Sequence, residues 1–310
     1  VNYLNTVVSF VLSPYQNQES FDVWQEIVEK LIGGKSRKSK QMYADYIEVC
    51  NNLFSENLMY KSEAVSWTAS NSNYIFEFDT VPVMIFPSLN LICFAKGDSA
   101  VIYNTKGVFY PTENLWVGEG GKVDWRRAGL NSNEVYAEIG KYKIRMKSSD
   151  FSVDSVTFFN THYFKKPLIG KLTEKVMANV TEESATYPRF DSYSKRIQIK
   201  NIAENVDYEG GFSMQGAKFV GRGSSEQDAY LYFYRDKKKF ITIASKALGI
   251  RNTKSASDLA SVTIYLEGDS IYHPGLDFKY LIDKKELTLF RDNKGISISP
   301  YFNSFHKLDM

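Results

Sequence analysis

The chain predicts a mainly β protein with a short N-terminal helical segment, built as a β-solenoid, stacked β-roll or sandwich. Three observations carry this. Apolar residues recur at helical spacing up to about residue 57 and then alternate every second residue. Short apolar runs are bounded by Gly, Asn, Asp and Pro almost to the C-terminus. Aromatic residues reach 15% of 310 residues, with 21 Tyr and 21 Phe, and such side chains favour strands.

The first segment suits a short helix with Tyr3, Leu4, Val7, Val8 and Val11 on one face. A second helix presents Phe21, Trp24, Ile27, Val28, Leu31 and Ile32, with Ser20 as N-cap and Gly33-Gly34 as stop. A third presents Met42, Tyr43, Tyr46, Ile47, Cys50, Leu53 and Phe54, capped by Ser36 or Ser39. Their apolar faces need a partner: each other, the rest of the chain, or an upstream part. The helical segment is placed at 1–65 and a β-repeat region at 66–310, with a candidate division near 170–185.

Strands are expected at Tyr74–Asp79, Val81–Phe86, Leu91–Ala95, Ala100–Tyr103, Lys141–Met146, Ser155–Phe159, Arg196–Ile199, Gly211–Val220, Tyr230–Tyr234, Phe240–Ala244, Ser261–Leu266, Phe278–Ile282, Glu286–Phe290 and Ile296–Ser299. The only helix candidates after residue 60 are Lys171–Met177 and Asp258–Ala260. Residues 66–310 therefore carry several times more strand than helix. Gly97-Asp98-Ser99 followed by an apolar run resembles Val153-Asp154-Ser155 and Gly268-Asp269-Ser270. The second gap is about twice the first, which suggests a repeat. Asn104-Thr-Lys-Gly107 and Asp292-Asn-Lys-Gly295 read as turns that lead into strands.

Lys plus Arg is 38 and Asp plus Glu is 36, for a formal charge of +2. This balance argues against nucleic acid as partner, which asks for a basic face. Two cysteines exclude a disulfide scaffold and a four-cysteine zinc site. Cys50 falls on a helix face and Cys93 in an apolar strand, so both read as unbonded small hydrophobes. The apolar stretch Val7–Leu12 is far short of a membrane-spanning helix. A chain that begins at Val1 reads as part of a longer or processed polypeptide.

Local motifs for chemistry fail on context. Gly33-Gly34-Lys35-Ser36 lies between helices rather than after a strand, so a helix–helix turn is the better reading than a phosphate loop. The basic residues after it, Lys35, Arg37, Lys38 and Lys40, read as a solvated surface. Gly211-Phe-Ser213-Met-Gln-Gly216 has one residue too many for a nucleophile elbow and sits in a strand pattern. His162, His273 and His306 are scattered, and no carboxylate pair stands out. Asn179-Val-Thr181 is a lone glycosylation pattern. No catalytic residue, metal ligand or cofactor is assigned. Trp116 and Trp125 flank the glycine-rich Val117–Lys122 and are the candidate ligand-binding residues. Tryptophans beside a turn can stack on a sugar or another chain, whereas the ordinary reading of a large aromatic is core packing.

Asp79-Thr80-Val81, Asp98-Ser99-Ala100, Asp154-Ser155-Val156 and Asp269-Ser270-Ile271 resemble the O-glycosylation pattern that one large group of Gram-negative bacteria uses on exported proteins. Their ordinary reading is that they mark strand starts. The segments Tyr208–Gly221 and Asp228–Phe233 resemble the strand-and-glycine rhythm of bacterial cell-envelope β-solenoid and β-jellyroll proteins, including lipopolysaccharide-transport modules. These resemblances imply the periplasm, cell surface or extracellular space. They imply a non-catalytic scaffold or binding surface for a glycan or protein partner. The rival readings are a glycoside hydrolase or polysaccharide lyase on a β-helix, and a lipid- or lipopolysaccharide-carrying β-jellyroll.

Overall fold

The computed structural model describes residues 2–178, 180–182, 184–292, 294–303 and 307–308. Asn179 of the glycosylation pattern and His306 lie outside the described residues. The chain is mostly β with three N-terminal helices, α1 (Asn2–Leu12), α2 (Gln18–Gly33) and α3 (Arg37–Glu56). It divides into two compact units. The first holds 1–127, 136–157 and 172–181, and the second holds 128–135, 158–171 and 182–310.

In the first unit the helices pack on each other and on the strand Ile75–Asp79. Trp24 and Phe10 are at the centre. Their rings lie 5.9 Å apart, and Phe54 meets Phe10 edge-on at 5.1 Å and Phe76 at 5.9 Å. The predicted faces of α2 and α3 are largely buried, except Ile32, which is exposed. The face of α1 is rotated from the expected one. Thr6 and Phe10 are buried, while Leu4, Val8 and Val11 are exposed. A helix with apolar residues on most of its circumference does not state which side docks, and here the largest ring decides it.

The N-cap of α2 is Asn17, not Ser20: its side chain accepts the Ser20 N–H at 2.9 Å. Ser36 caps α3 by accepting the Ser39 N–H at 3.0 Å. Gly33-Gly34-Lys35-Ser36 is therefore a helix–helix turn. Asn17→Ala and Ser36→Ala should each cost about 1 kcal/mol in urea denaturation. A change below ~0.3 kcal/mol would show that water replaces the cap at no cost.

The strands of the first unit form an antiparallel meander. Leu58–Lys61 pairs Val65–Ala69, which pairs the long strand Val81–Ala95. That strand pairs Asp98–Tyr110, followed by Leu115–Glu119 and Lys141–Arg145. In the second unit Ile197–Ala203, Val206–Gln215, Ala229–Arg235, Lys238–Ser245, Lys254–Leu266 and Asp269–Leu281 pair in that order, again antiparallel. Lys218–Arg222 folds back on Val206–Gln215, so the expected single strand Gly211–Val220 is a hairpin turning at Gly216.

Lys171–Met177 is not helical: Leu168–Lys175 is a strand, and Asp258–Ala260 lies within Lys254–Leu266. Alternate burial of Gly170, Leu172 and Glu174 overrides the helical propensity of the segment. Gly295–Ile298 is a 3-10 helix rather than the predicted strand. Its backbone is held by Arg291, which donates to the carbonyls of Ser297 and Ile298.

Asp98 and Asp269 both open strands after two-residue turns, and each side chain accepts the following serine N–H at 2.7 Å. Asp154-Ser155 instead lies inside Asp150–Asn160, with Ser155 at φ 58°. Cys50 and Cys93 are buried free thiols, each pushed up to about 12 chiefly by burial.

Candidate functional site

The two tryptophans singled out in the sequence do not make a stacking platform. Trp116 and Trp125 are both 0% exposed. Trp116 sits in Leu115–Glu119, its indole N–H donating to Tyr142 Oη at 3.1 Å and its ring 5.8 Å from Phe86. Gly118 is required beside it, because a Cβ there would lie 2.4 Å from the indole nitrogen. The turn is formed by Gly120 and Gly121, both at positive φ. Two-residue alternation sends Trp116 inward, and the glycines let neighbouring strands close over it.

The other singled-out residues are also separate. His273 is 1% exposed. Its Nδ1 accepts the Gly275 N–H, which places the proton on Nε2 for the Ser299 carbonyl at 2.9 Å. Burial keeps this imidazole below its usual range. His162 is exposed in the turn after Asn160. Ser213 is buried in a strand and donates to Asp191 at 2.7 Å. Among the described residues no group of three or more His, Cys, Asp or Glu is placed to hold a metal ion. No described helix is long and apolar enough to cross a membrane.

The second unit carries a different constellation on its sheet. Residues directly opposite in antiparallel strands share a face. Tyr208, Leu231, Ile243, Val262 and His273 form one row across five strands, and all are buried. The neighbouring row, on the opposite face, is Asp207, Tyr232, Thr242, Thr263 and Tyr272. The row beside that is Gln198, Glu209, Tyr230, Ala244 and Ser261.

Tyr230 and Tyr232 project together from Ala229–Arg235 with their rings parallel, 5.7 Å apart and 8° between planes. Both are half-buried, as is Tyr234, while Tyr265 and Tyr272 are 39% and 40% exposed. Arg196 lies over the Tyr230 ring and Lys239 over the Tyr232 ring, at 5.4 and 4.2 Å. These cations pin the rings in place.

Charge on this face is paired. Arg196 donates to Glu209 at 2.5 Å, Tyr232 Oη donates to the same carboxylate at 3.0 Å, and Lys200 donates to Asp207 at 2.7 Å. Burial works to raise both carboxyl groups. The bonds from Arg196 and Tyr232 hold Glu209 below its ordinary value, and those from Lys200 and the Asn201 N–H do the same for Asp207. Such carboxylates stay ionised and accept hydrogen bonds at neutral pH. A general acid or base needs a pKa near the working pH, and these are moved away from it. A shallow groove of about 200 Å³ runs between Lys200, Asp207, Glu209, Tyr232 and Tyr234.

The tyrosines were legible in the sequence only as an alternating strand. Nothing there shows which face is covered. No family model, curated protein or solved structure matches this chain.

Proposed function

We propose that this chain is a non-catalytic binding protein of antiparallel roll or sandwich build, exported or held at the cell envelope. Its ligand is a glycan, taken on the tyrosine face of the second unit. The observation that carries the reading is the half-exposed parallel pair Tyr230–Tyr232 flanked by ionised Asp207 and Glu209. Aromatic faces pack on the C–H face of a sugar ring, and carboxylates accept from its hydroxyls. The rings are held by cations, so little side-chain entropy is lost on binding.

The rivals have less support. A lipid carrier needs a hollow interior, yet Phe158, Phe190 and Phe212 fill the second unit with ring centroids 4.3–6.1 Å apart. A glycosidase needs a pair of carboxyl groups in a cleft. Asp207 and Glu209 in the tyrosine groove are both held below their ordinary values, so neither is the raised-pKa acid such a pair needs. The cavity of about 640 Å³ in this unit is lined by one carboxylate, Glu134, among the described residues. The surface positions of Thr80 and Ser155, both exposed, are compatible with the export pattern.

Purified protein passed over insoluble polysaccharides, including cellulose, chitin and bacterial sacculi, tests the reading. Retention on at least one matrix is expected. Tyr230→Thr with Tyr232→Thr should weaken it by about tenfold, as the loss of two stacking contacts of ~0.5–1.5 kcal/mol implies. Thr keeps the strand propensity. Unchanged retention by the double variant would remove the tyrosine face as the site. Breakdown of the matrix would overturn the non-catalytic reading.

A further inference from the structure

The second unit also contains a concave site of about 640 Å³ that the sheet face does not use. Four separate stretches build it: 130–135, 160–163, 214–217 and 251–254. Its apolar side is Met214 and Val135, both buried. Its polar side brings together Asn160, Glu134, His162, Arg251 and Lys254.

Asn160 is 3% exposed. Its side-chain oxygen accepts the backbone N–H groups of His162 and Tyr163 at 3.2 and 3.4 Å. Backbone N–H groups can only be accepted by the oxygen, so the orientation of the amide is fixed. The end offered to a ligand is its N–H pair, a donor at the buried edge of the cavity. Lys254, exposed at the hairpin Arg251–Lys254, supplies a cation, and exposed Glu134 supplies an acceptor.

These groups make complementary demands. The Lys254 ammonium and the Asn160 amide favour an anion, whereas the Glu134 carboxylate repels a bare one and asks for hydroxyl donors. A ligand that satisfies all three carries a carboxylate and hydroxyl groups on one small frame with an apolar face for Met214 and Val135. We propose that this cavity binds a sugar acid, as a uronate unit of a glycan or as the free acid. The site stands independently of the tyrosine face.

Calorimetric titration of the whole chain with sodium D-glucuronate, D-glucose and inorganic phosphate tests it. Glucuronate is expected to bind about tenfold or more tighter than glucose, since charge-assisted bonds are roughly twice as strong as neutral ones. It should also bind tighter than phosphate, which Glu134 repels and which has no apolar face for Met214 and Val135. Lys254→Gln should lower the preference over glucose, with the Arg251 guanidinium still lining the cavity. Glu134→Gln should bring phosphate affinity up towards that of glucuronate. Both positions are exposed, so circular dichroism should show both variants folded. Phosphate binding as tight as glucuronate would mean an unspecific anion site and overturn the proposal. So would an unchanged preference in Lys254→Gln, or no glucuronate binding at high millimolar concentration. Loss of glucuronate binding in Tyr230→Thr with Tyr232→Thr would move the site to the sheet face and overturn the cavity assignment. Titration with a glucuronate oligomer distinguishes the two sources: tighter binding than the monomer assigns a unit of a glycan, and equal or weaker binding assigns the free acid.

Discussion

Arg127→Met is expected to destabilise the first unit by about 3–5 kcal/mol at pH 8, the cost of leaving a buried charge without its partner. Arg127 bridges Glu174 and Asp98, each at 2.7 Å, and Glu174 is 2% exposed on its side chain. Burial is the largest influence on Glu174 and raises it. The Arg127 guanidinium and the Lys175 N–H pull it back, and the balance leaves it at about 7. The sign follows from linkage. The folded state holds this proton more tightly than the unfolded chain, whose glutamate titrates near 4.5. This group's contribution is therefore most favourable below pH 4.5 and is lost as pH rises towards 7, then stays constant. Without Arg127 the carboxyl group rises further, so the penalty grows at pH 8 and is smaller at pH 5.

All four tryptophans, Trp24, Trp67, Trp116 and Trp125, belong to the first unit. Their fluorescence during urea denaturation therefore reports on this unit. Arg127→Met with Glu174→Gln should recover most of the loss, because no charge is then stranded. A single variant within ~1 kcal/mol of the parent at pH 8 would mean that water reaches Glu174. A loss equal at pH 5 and pH 8 would mean that packing rather than charge is responsible.

Trp116→Ala is the second large effect, at roughly 3–5 kcal/mol for a large aromatic removed from a packed interior. The cavity forms beside Phe86 and takes the indole donor from Tyr142, whose hydroxyl keeps its 2.7 Å bond to Thr105. The midpoint in urea should fall, while glycan retention per folded molecule stays unchanged. Retention lost with no change in the midpoint would restore Trp116 as a binding residue. This separates a fold residue from a site residue by measurement, a distinction that proximity to a glycine-rich turn does not make.

Much of the architecture is legible along the chain. The 3.6-residue spacing of Trp24, Ile27, Val28 and Leu31 marks a helix, and the helix buries those side chains. Ser36 caps α3 because a hydroxyl one position before a helix satisfies an otherwise open N–H. The alternation at Ala229–Arg235 announces a strand with two unlike faces. These are local properties, set by backbone geometry within a few residues. Glu174 shows the limit: its segment reads equally as a short helix, and only burial of every second residue makes it a strand.

Tertiary structure decided what each face meets. The row Asp207, Tyr232, Thr242, Thr263 and Tyr272 assembles from five strands, and no local spacing connects its members. Arg127 and Glu174 meet across 47 positions of sequence. α1 turned Phe10 inward and left Leu4 and Val8 outside because Trp24 and Phe54 were there to receive the larger ring. A two-residue period tells that one face is covered and the other open, but a strand's own residues do not choose between them when both faces are aromatic. Tyr208 and Tyr232 have the same chemistry. One became core, packed on Phe219 at 4.9 Å, and the other became the candidate site because its face of the sheet is only partly covered.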